Sequence, residues 1–505
     1  MSTSLAADLQ DAANLPDGQG RVDLVETHCS QVFLTQGDVY KVKRAKNYGF
    51  LDYSTLAKRE FYCREEVRLN RRLAERVYLG VLPVWRDAEG YSLTRRGELV
   101  DWAVHMRRLP DDCSAEALLT SGRLRAAHLD GVAELLARLY ANSEIGRGDV
   151  TTMARNLREN FEQAQAFVGE VLSEDRLAEC RRRQEAWLRA QQDRLATRSI
   201  VDGHGDLRLE HVYLLPGESL IIDCIEFADR YRVGDWALDA AFLAMDLRQR
   251  ERSELAEYFL GRLAYELDDY EFYPLLDGYM SYRAVVRGKV ACFVAVDPGT
   301  SAGVVTRKRR EARALFDLAS ACLEPSRRRP RIIAIGGGIA TGKSTLAWAL
   351  SRRLGLPVVV ADATRKSLAG LAHDARGGAD LYTDVFTQRM HAELLRRADL
   401  VLASGRSVLV DTTFRRHDLR QRFLDLAVQH GAEFRFVECR VPSEVARARL
   451  RARRGGVSDA REGQLAQLAL WDRVRGLGQD QHIVVDGTEP VAAIVAQLAP
   501  RLLQP

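Results

Sequence analysis

No stretch of 18 apolar residues occurs in the chain, and its first twenty residues hold neither a basic leader nor an apolar run. Both absences argue against membrane spanning and export and predict a cytoplasmic protein with no membrane partner. The eight cysteines, at 29, 63, 113, 180, 224, 292, 322 and 439, include no Cys-x-x-Cys pair and stand near no histidine cluster. Reduced, mostly buried thiols are therefore expected, and a structural zinc site is not. Excess charge is missing too. A formal net charge of +4 over 505 residues gives no electrostatic reason to invoke nucleic acid. There is no internal repeat and no low-complexity tract. Lysine is scarce: only eight of the 74 basic residues are lysine, and three of those eight lie between positions 41 and 46. What the chain does have, 46% hydrophobic and 29% charged residues, suits a globular protein of several compact units able to bury large cores.

Near the C-terminal end, Gly337-Gly338-Ile339-Ala340-Thr341-Gly342-Lys343-Ser344 follows the apolar run 332–335 and opens a helix-like stretch from Thr345 to Leu354. Strand, glycine loop and helix come in the order a phosphate-binding P-loop requires. The glycines let backbone N–H groups wrap a phosphate chain, Lys343 reaches the β/γ oxygens, and the Ser344 hydroxyl is placed to ligate Mg²⁺. Ahead of it, two prolines frame an arginine run in Glu324-Pro325-Ser326-Arg327-Arg328-Arg329-Pro330-Arg331. This break is expected to be a solvated linker, 325–331, dividing residues 1–324 from a P-loop domain, 332–505.

Before the linker, 31–34 and 39–43 read as two strands around a Gln-Gly-Asp turn, followed by a charged helix near 56–73 and strands near 81–85 and 103–107. The stretch 115–198 is mostly helical by its spacing. A different segment follows it: His204-Gly205-Asp206, then His211 leading a short strand, a Pro-Gly turn, and a second strand running to Asp223. A hairpin of this kind brings Asp206, His211 and Asp223 to one end, where a kinase-like fold keeps its base and metal ligands.

This segment resembles the catalytic loop of aminoglycoside and choline phosphotransferase-like kinases, which reads His-Gly-Asp with a metal-binding Asn five residues on and a metal-binding Asp on the next strand. The resemblance implies that Asp206 deprotonates the acceptor hydroxyl and that His211 and Asp223 hold Mg²⁺. His211 stands where Asn is usual, and imidazole is a softer ligand than Mg²⁺ prefers. The strand 39–43 looks like the one that carries the family's phosphate-pairing lysine, with Lys41 as the expected residue, Lys43 as the alternative and Glu66 as its helix partner. No glycine-rich loop lies between Val22 and Leu34. Residues 103–106 are expected to join a small lobe, about 20–107, to a large lobe, about 108–324.

In the P-loop half, an apolar run at 357–360 precedes Asp362 and Arg365, placed at the end of a sheet where ligands gather. A carboxylate there can take the proton of an acceptor hydroxyl, and an arginine one helical turn on can hold its phosphate or the transferring group. The strand 407–411 ends in Asp411, as a metal-serving Walker B position should. The arginine-rich helix 444–454 precedes a Gly-Gly break and suits a lid, with Arg449 and Arg453 favoured by their spacing. This half resembles the small P-loop kinases that include gluconate kinase, polynucleotide 5′-kinases, chloramphenicol phosphotransferase and zeta toxins. In two of these groups an Asp-x-x-Arg maps onto Asp362 and Arg365.

Over nearly its full length the chain resembles bacterial two-domain aminoglycoside phosphotransferase-like/P-loop ATP-binding proteins. Segments such as 41–43, 48–55, 68–73 and 206–208 carry the match. The fold expected is an α+β bilobal protein-kinase-like domain followed by an α/β P-loop kinase domain with a mostly parallel sheet. The function expected is an ATP·Mg²⁺-dependent, bifunctional kinase acting on small-molecule or nucleotide-like hydroxyl acceptors, with 5′-hydroxyl nucleic-acid ends left open. Two other readings are a P-loop kinase regulated by a degenerate kinase-like domain, and a P-loop NTPase switch. Asp362 speaks against the switch, which needs a positioned water rather than a base facing a hydroxyl.

Overall fold

A computed structural model describes residues 4–503 except 28, 48, 50, 149, 326–327, 453–471, 473 and 479. Its contacts divide the chain into two compact units, one of residues 1–152 with 196–243, the other of 153–195 with 244–505.

The first unit is built on an antiparallel sheet of β1 (Asp23–Glu26), β2 (Ser30–Leu34), β3 (Asp38–Lys43), β4 (Tyr78–Asp87), β5 (Gly90–Ser92) and β6 (Glu98–Arg107), in the order β1-β2-β3-β6-β4-β5. The helix Leu56–Ala74 starts where the Thr55 side chain accepts the Lys58 N–H, and it lays Cys63, Val67 and Ala74 against Val39 of β3 and Val104 and Met106 of β6. Because side chains alternate across a strand, the face of β3 that carries Val39 also carries Lys41 and Lys43 toward this helix. Residues 103–106 do not join two lobes as expected. They lie inside β6, paired to β3 on one edge and β4 on the other, and the chain leaves the sheet only at 108–110. An apolar run fits a central strand as well as a connector, and two-sided pairing decides for the strand. Short strands complete the unit: β7 (Glu144–Arg147), β8 (Ser199–Asp202) and β11 (Val233–Asp235) form one small sheet, and β9 (Val212–Leu215) with β10 (Glu218–Ile221) forms a hairpin.

The second unit contains a five-stranded sheet of β12 (Arg331–Gly337), β13 (Val358–Val360), β14 (Val408–Asp411), β15 (Glu433–Arg440) and β16 (His482–Asp486), in the order β13-β14-β12-β15-β16 with every pairing parallel. β12, β13 and β14 are buried almost throughout, as parallel strands covered on both faces should be. The helices Ser253–Leu267 and Tyr273–Val296 belong to the same unit as this sheet. Tyr265 belongs to the same apolar cluster as Ile333, Leu346 and Val358. The Tyr270 hydroxyl donates to the Val358 carbonyl at 2.8 Å. Gly261 lies so close to Pro357 that a Cβ on it would come within 2.7 Å of the proline Cα.

Six of the eight thiols are buried, and among the described residues no helix is long and apolar enough to cross a membrane.

Candidate active sites

In the first unit, Lys41 donates to Glu66 Oε1 at 2.9 Å and to Asp223 Oδ1 at 2.6 Å. Lys43, two residues on and on the same strand face, donates to Glu66 Oε2 at 2.5 Å and to Glu226, which also accepts the Tyr53 hydroxyl. Burial opposes the charged forms of Lys41, Lys43, Glu66 and Asp223, yet mutual attraction prevails. The lysines hold the Glu66 and Asp223 carboxyls below their ordinary range, Asp223 and Glu66 raise the Lys41 ammonium, and Glu226 and Glu66 raise that of Lys43. Three carboxylates thus face two ammoniums, which leaves negative charge to spare for a cation.

The catalytic-loop segment is fixed from behind. Asp239 accepts the N–H groups of His204 at 2.7 Å and Gly205 at 2.8 Å, and the Tyr140 hydroxyl at 2.9 Å. Gly205 has φ +87°, and a Cβ on Gly203 would come within 2.7 Å of Asp239, so the loop needs both glycines to wrap that carboxylate. His204 is fully buried, which pushes its pKa down. Its Nε2 bonds the Ile222 carbonyl at 2.9 Å and its Nδ1 accepts the Asp206 N–H at 3.2 Å. His211 Nδ1 bonds the Asp206 carbonyl at 2.8 Å, and its Nε2 meets the Arg208 guanidinium at 3.3 Å, with Asp223 Oδ2 and Glu210 Oε1 each at 3.6 Å. An imidazole with one nitrogen tied to a carbonyl and a carboxylate beside the other is the arrangement of a metal-ligating histidine, and Asp223 supplies the carboxylate. Asp223 holds this position at φ +64°, a strained value for a residue with a Cβ. Its N–H donates to the Tyr78 hydroxyl at 3.1 Å, and the next N–H, of Cys224, to Asn70 Oδ1 at 2.8 Å. Asp206 itself is held by Arg208 through two bonds of 3.0 and 2.9 Å.

In the second unit, residues 338–345 line a cavity of about 750 Å³ together with Asp362, Arg365, Asp411 and Arg449. Gly337 sits one step behind, where a Cβ would meet the Cys439 carbonyl and the Thr341 hydroxyl at 2.6 Å. Ala340 at φ +62° and Gly342 at φ +91° turn the loop into the helix Lys343–Leu354. Asp411 ends β14, is buried, and has its carboxyl pushed up to about 6 by that burial, against the pull of Lys343 and a bond from Ser344. Its Oδ1 has no hydrogen-bond partner among the described residues. An orphaned carboxylate oxygen beside a serine hydroxyl and a P-loop lysine fits a Mg²⁺ ion or its water.

Asp362, which lines the same cavity, lies in the first turn of the helix Ala361–Leu368. Arg365, on the next turn, donates to the Leu381 carbonyl and, at 3.3 Å, to the Thr387 hydroxyl, with Tyr382 under its guanidinium at 4.7 Å. Arg449 reaches back to the P-loop, donating to the carbonyls of Ala340 at 3.4 Å and Gly487 at 2.7 Å. Arg453, the other lid candidate, lies outside the described residues, as do Tyr48 and Phe50 of the family-like segment.

The Phosphotransferase enzyme family matches residues 56–276, and the AAA domain matches residues 332–475. The uncharacterized protein Rv2004c of Mycobacterium tuberculosis is 33% identical over 490 residues, covering 92% of this chain and 95% of that protein. Among solved structures, a choline/ethanolamine kinase family protein from Mesorhizobium loti matches 63% of this chain and 97% of its own at 13% identity and a TM-score of 0.39. A gluconokinase from Sinorhizobium meliloti 1021 matches 35% of this chain and 97% of its own at 23% identity and a TM-score of 0.26. Fold and sites define a phosphotransferase-type protein with two kinase-like halves. The chain belongs to the two-domain family that joins an aminoglycoside phosphotransferase-like domain to a C-terminal P-loop kinase-like domain.

Several residues that complete the sites gave no local signal. Glu226 was legible only as part of an apolar strand, Asp239 as the polar face of a helix, and Arg208 as a neighbour of the expected base. In the P-loop half His391, Tyr382 and Arg415 line the cavity from segments without a motif.

Proposed function

We propose that the protein is a cytoplasmic, ATP- and Mg²⁺-dependent phosphotransferase with two nucleotide sites, each passing phosphate to a hydroxyl acceptor that is a small molecule or nucleotide-like. The observation that carries this reading is one cavity lined by the P-loop, Asp411 and Asp362 together. A switch needs no second carboxylate facing the loop, whereas phosphoryl transfer needs a base where the acceptor would lie. In this half Lys343 and the loop N–H groups hold the phosphates, Asp362 accepts the hydroxyl proton, and Arg449 stands at the loop to neutralise charge during transfer. In the other half Lys41, fixed by Glu66, pairs the phosphates, and Asp206 is the candidate base. Mg²⁺, when bound, would shield the phosphate oxygens, and the groups suited to hold it are Asp411 with Ser344 in one site and Asp223 with His211 in the other.

One observation favours a second reading for the N-terminal half alone. Arg208 occupies both carboxylate oxygens of Asp206, so that half would act as a ligand-binding regulator if the pair stays closed. The test is ATP consumption by the full-length protein against pooled sugars, antibiotics, nucleotides and 5′-hydroxyl oligonucleotides, repeated with Lys343→Ala and Lys41→Ala. Turnover lost only in Lys343→Ala assigns the activity to the P-loop half and leaves the other as regulator. ATP binding that survives both changes unaltered would overturn the reading.

A further inference from the structure

Lys41 and Lys43 stand on the same face of β3 and each bridges two carboxylates, yet they differ in what can reach them. The Lys41 side chain is 18% exposed and that of its partner Asp223 43%, whereas the Lys43 side chain is 1% exposed and that of Glu226 8%. Glu66, which both lysines share, is fully buried. The contacts close a ring. Lys41 donates to Glu66 Oε1 at 2.9 Å, Lys43 to Glu66 Oε2 at 2.5 Å and to Glu226, and three residues of chain lead back to Asp223, which accepts Lys41 at 2.6 Å. Lys43 has no surface to offer a phosphate, so its charge serves something other than direct binding.

Residues of the two family-like segments, 48–55 and 68–73, brace this ring. The Tyr53 ring lies 4.8 Å from the Lys43 ammonium and its hydroxyl bonds Glu226, while its own backbone is tied to the Lys46 carbonyl at 2.9 Å and to Arg59 at 3.1 Å. Asn70, one turn after Glu66 on the same helix, donates to the Glu66 carbonyl at 2.8 Å and accepts the Cys224 N–H at 2.8 Å. The next N–H, of Ile225, donates to the His204 carbonyl at 3.0 Å. Buried ion pairs add little net stability, because desolvation offsets their attraction, and their best-attested use is to fix an arrangement. The link that needs support is the one between Lys41 and Asp223. A phosphate chain competes with Asp223 for Lys41, so ligand binding opens that side of the ring. Without Lys43, the buried Glu66 carboxylate would depend on Lys41 alone and hold it back from the phosphates.

We propose that Lys43, through Glu66 and Glu226, is the positioning residue of the N-terminal nucleotide site, keeping the Glu66 helix and the 223–226 segment in place when ligand parts Lys41 from Asp223. This rests on the reading that the N-terminal half binds ATP.

The test uses the full-length protein carrying Lys343→Ala, so that the P-loop is silenced and calorimetric titration with ATP and Mg²⁺ reports on the N-terminal half. Affinity is measured well below the thermal midpoint of each variant, where all of the protein is folded. Lys43→Met keeps the length of the side chain and removes its charge, and should weaken ATP binding about tenfold or more; Tyr53→Phe should weaken it about two- to tenfold, the worth of one hydrogen bond. Combining Lys43→Met with Glu226→Gln removes both charges of the buried pair and should return the thermal midpoint toward that of the parent without returning the affinity. A lysine with a purely structural role gives another pattern, in which the midpoint falls while the folded protein binds ATP as before, or affinity and stability recover together in the double variant; either result overturns the proposal. Tyr53→Phe deletes only a hydroxyl and carries the test if Lys43→Met does not fold, and unaltered affinity there overturns the proposal as well. A Lys343→Ala parent that binds no ATP removes the N-terminal site itself and the proposal with it.

Discussion

Asp268 accepts both terminal nitrogens of Arg397, at 2.7 and 2.8 Å. Asp268 caps the helix Ser253–Leu267 at φ +53° and also accepts the Ser367 hydroxyl, while Arg397 lies on the helix that carries His391. One carboxylate from the phosphotransferase-family stretch therefore holds the two helices that carry Arg365 and His391 of the P-loop cavity. Arg406, between Glu257 at 2.8 Å and Asp277 at 2.7 Å, makes a second such tie.

Removing the Asp268 carboxylate should be felt in stability. Arg397, nearly buried, would keep only Glu393 at 2.8 Å, and a quarter of the Asp268 side chain is exposed, so Asp268→Ala should cost about 2–3 kcal/mol. Burial pushes the Asp268 carboxyl up, but His373, Arg397 and Ser367 hold it below its ordinary value. A lowered folded value means the stabilisation is present above the unfolded value, near 4, and fades as pH falls through the folded one. Urea titrations of wild type and Asp268→Ala should therefore differ at pH 7 and converge in acid. A gap that widens on acidification would contradict the assignment.

Asp411 titrates with the opposite sign. Its folded value of about 6 exceeds the ordinary 3.8, so above pH 4 the native state resists an ionisation that the unfolded chain makes freely. The ligand-free protein should lose stability from this group as pH rises from about 4 to 6, and Asp411→Asn should be more stable than wild type at pH 8 by on the order of 1–3 kcal/mol. The check is the thermal midpoint of both proteins at pH 5 and pH 8 in the presence of chelator. A variant less stable at both values would contradict the sign.

The same two carboxylates should separate by role. Asp411→Asn is expected to weaken Mg²⁺-dependent nucleotide binding roughly 10–100-fold, as loss of a metal-supporting group does. Asp362→Asn should leave nucleotide binding nearly intact and slow transfer about 10²–10⁴-fold. Equal losses of nucleotide affinity in both variants would dissolve the distinction.

His211→Asn offers a test of the N-terminal half. The amide can still donate toward the Asp206 carbonyl and turns an oxygen, harder than imidazole nitrogen, to Mg²⁺. Turnover assigned to this half should be kept or raised in His211→Asn and lost in Asp206→Asn. Turnover indifferent to Asp206→Asn would leave the half without a catalytic role.

What could be read in advance followed the range of the interactions. The P-loop is a local motif whose strand, turn and helix are contiguous, and Lys41 and Glu66 follow from the resemblance of their strand and helix to those of phosphotransferase-like kinases. Asp206, His211 and Asp223 stand within one hairpin. Asp239 could not be read, because it caps the loop from a helix some 30 residues further on and resembles any polar helical position. Glu226 was hidden for a related reason: its partner Lys43 is remote in sequence. Residues 103–106 look like any apolar run, and only pairing on both edges makes them a central strand.

The contact between Gly261 and Pro357 also bears on the order in which the chain is made. The helix carrying Gly261 leaves the ribosome roughly a hundred residues before Pro357, and at about 5–20 residues per second its apolar face waits on the order of ten seconds for a cover. During that interval Tyr265 and its neighbours have no partner sheet. Synthesis halted between the two positions would leave a folded first half with a sticky helical surface, so the P-loop half also shields the chain that precedes it.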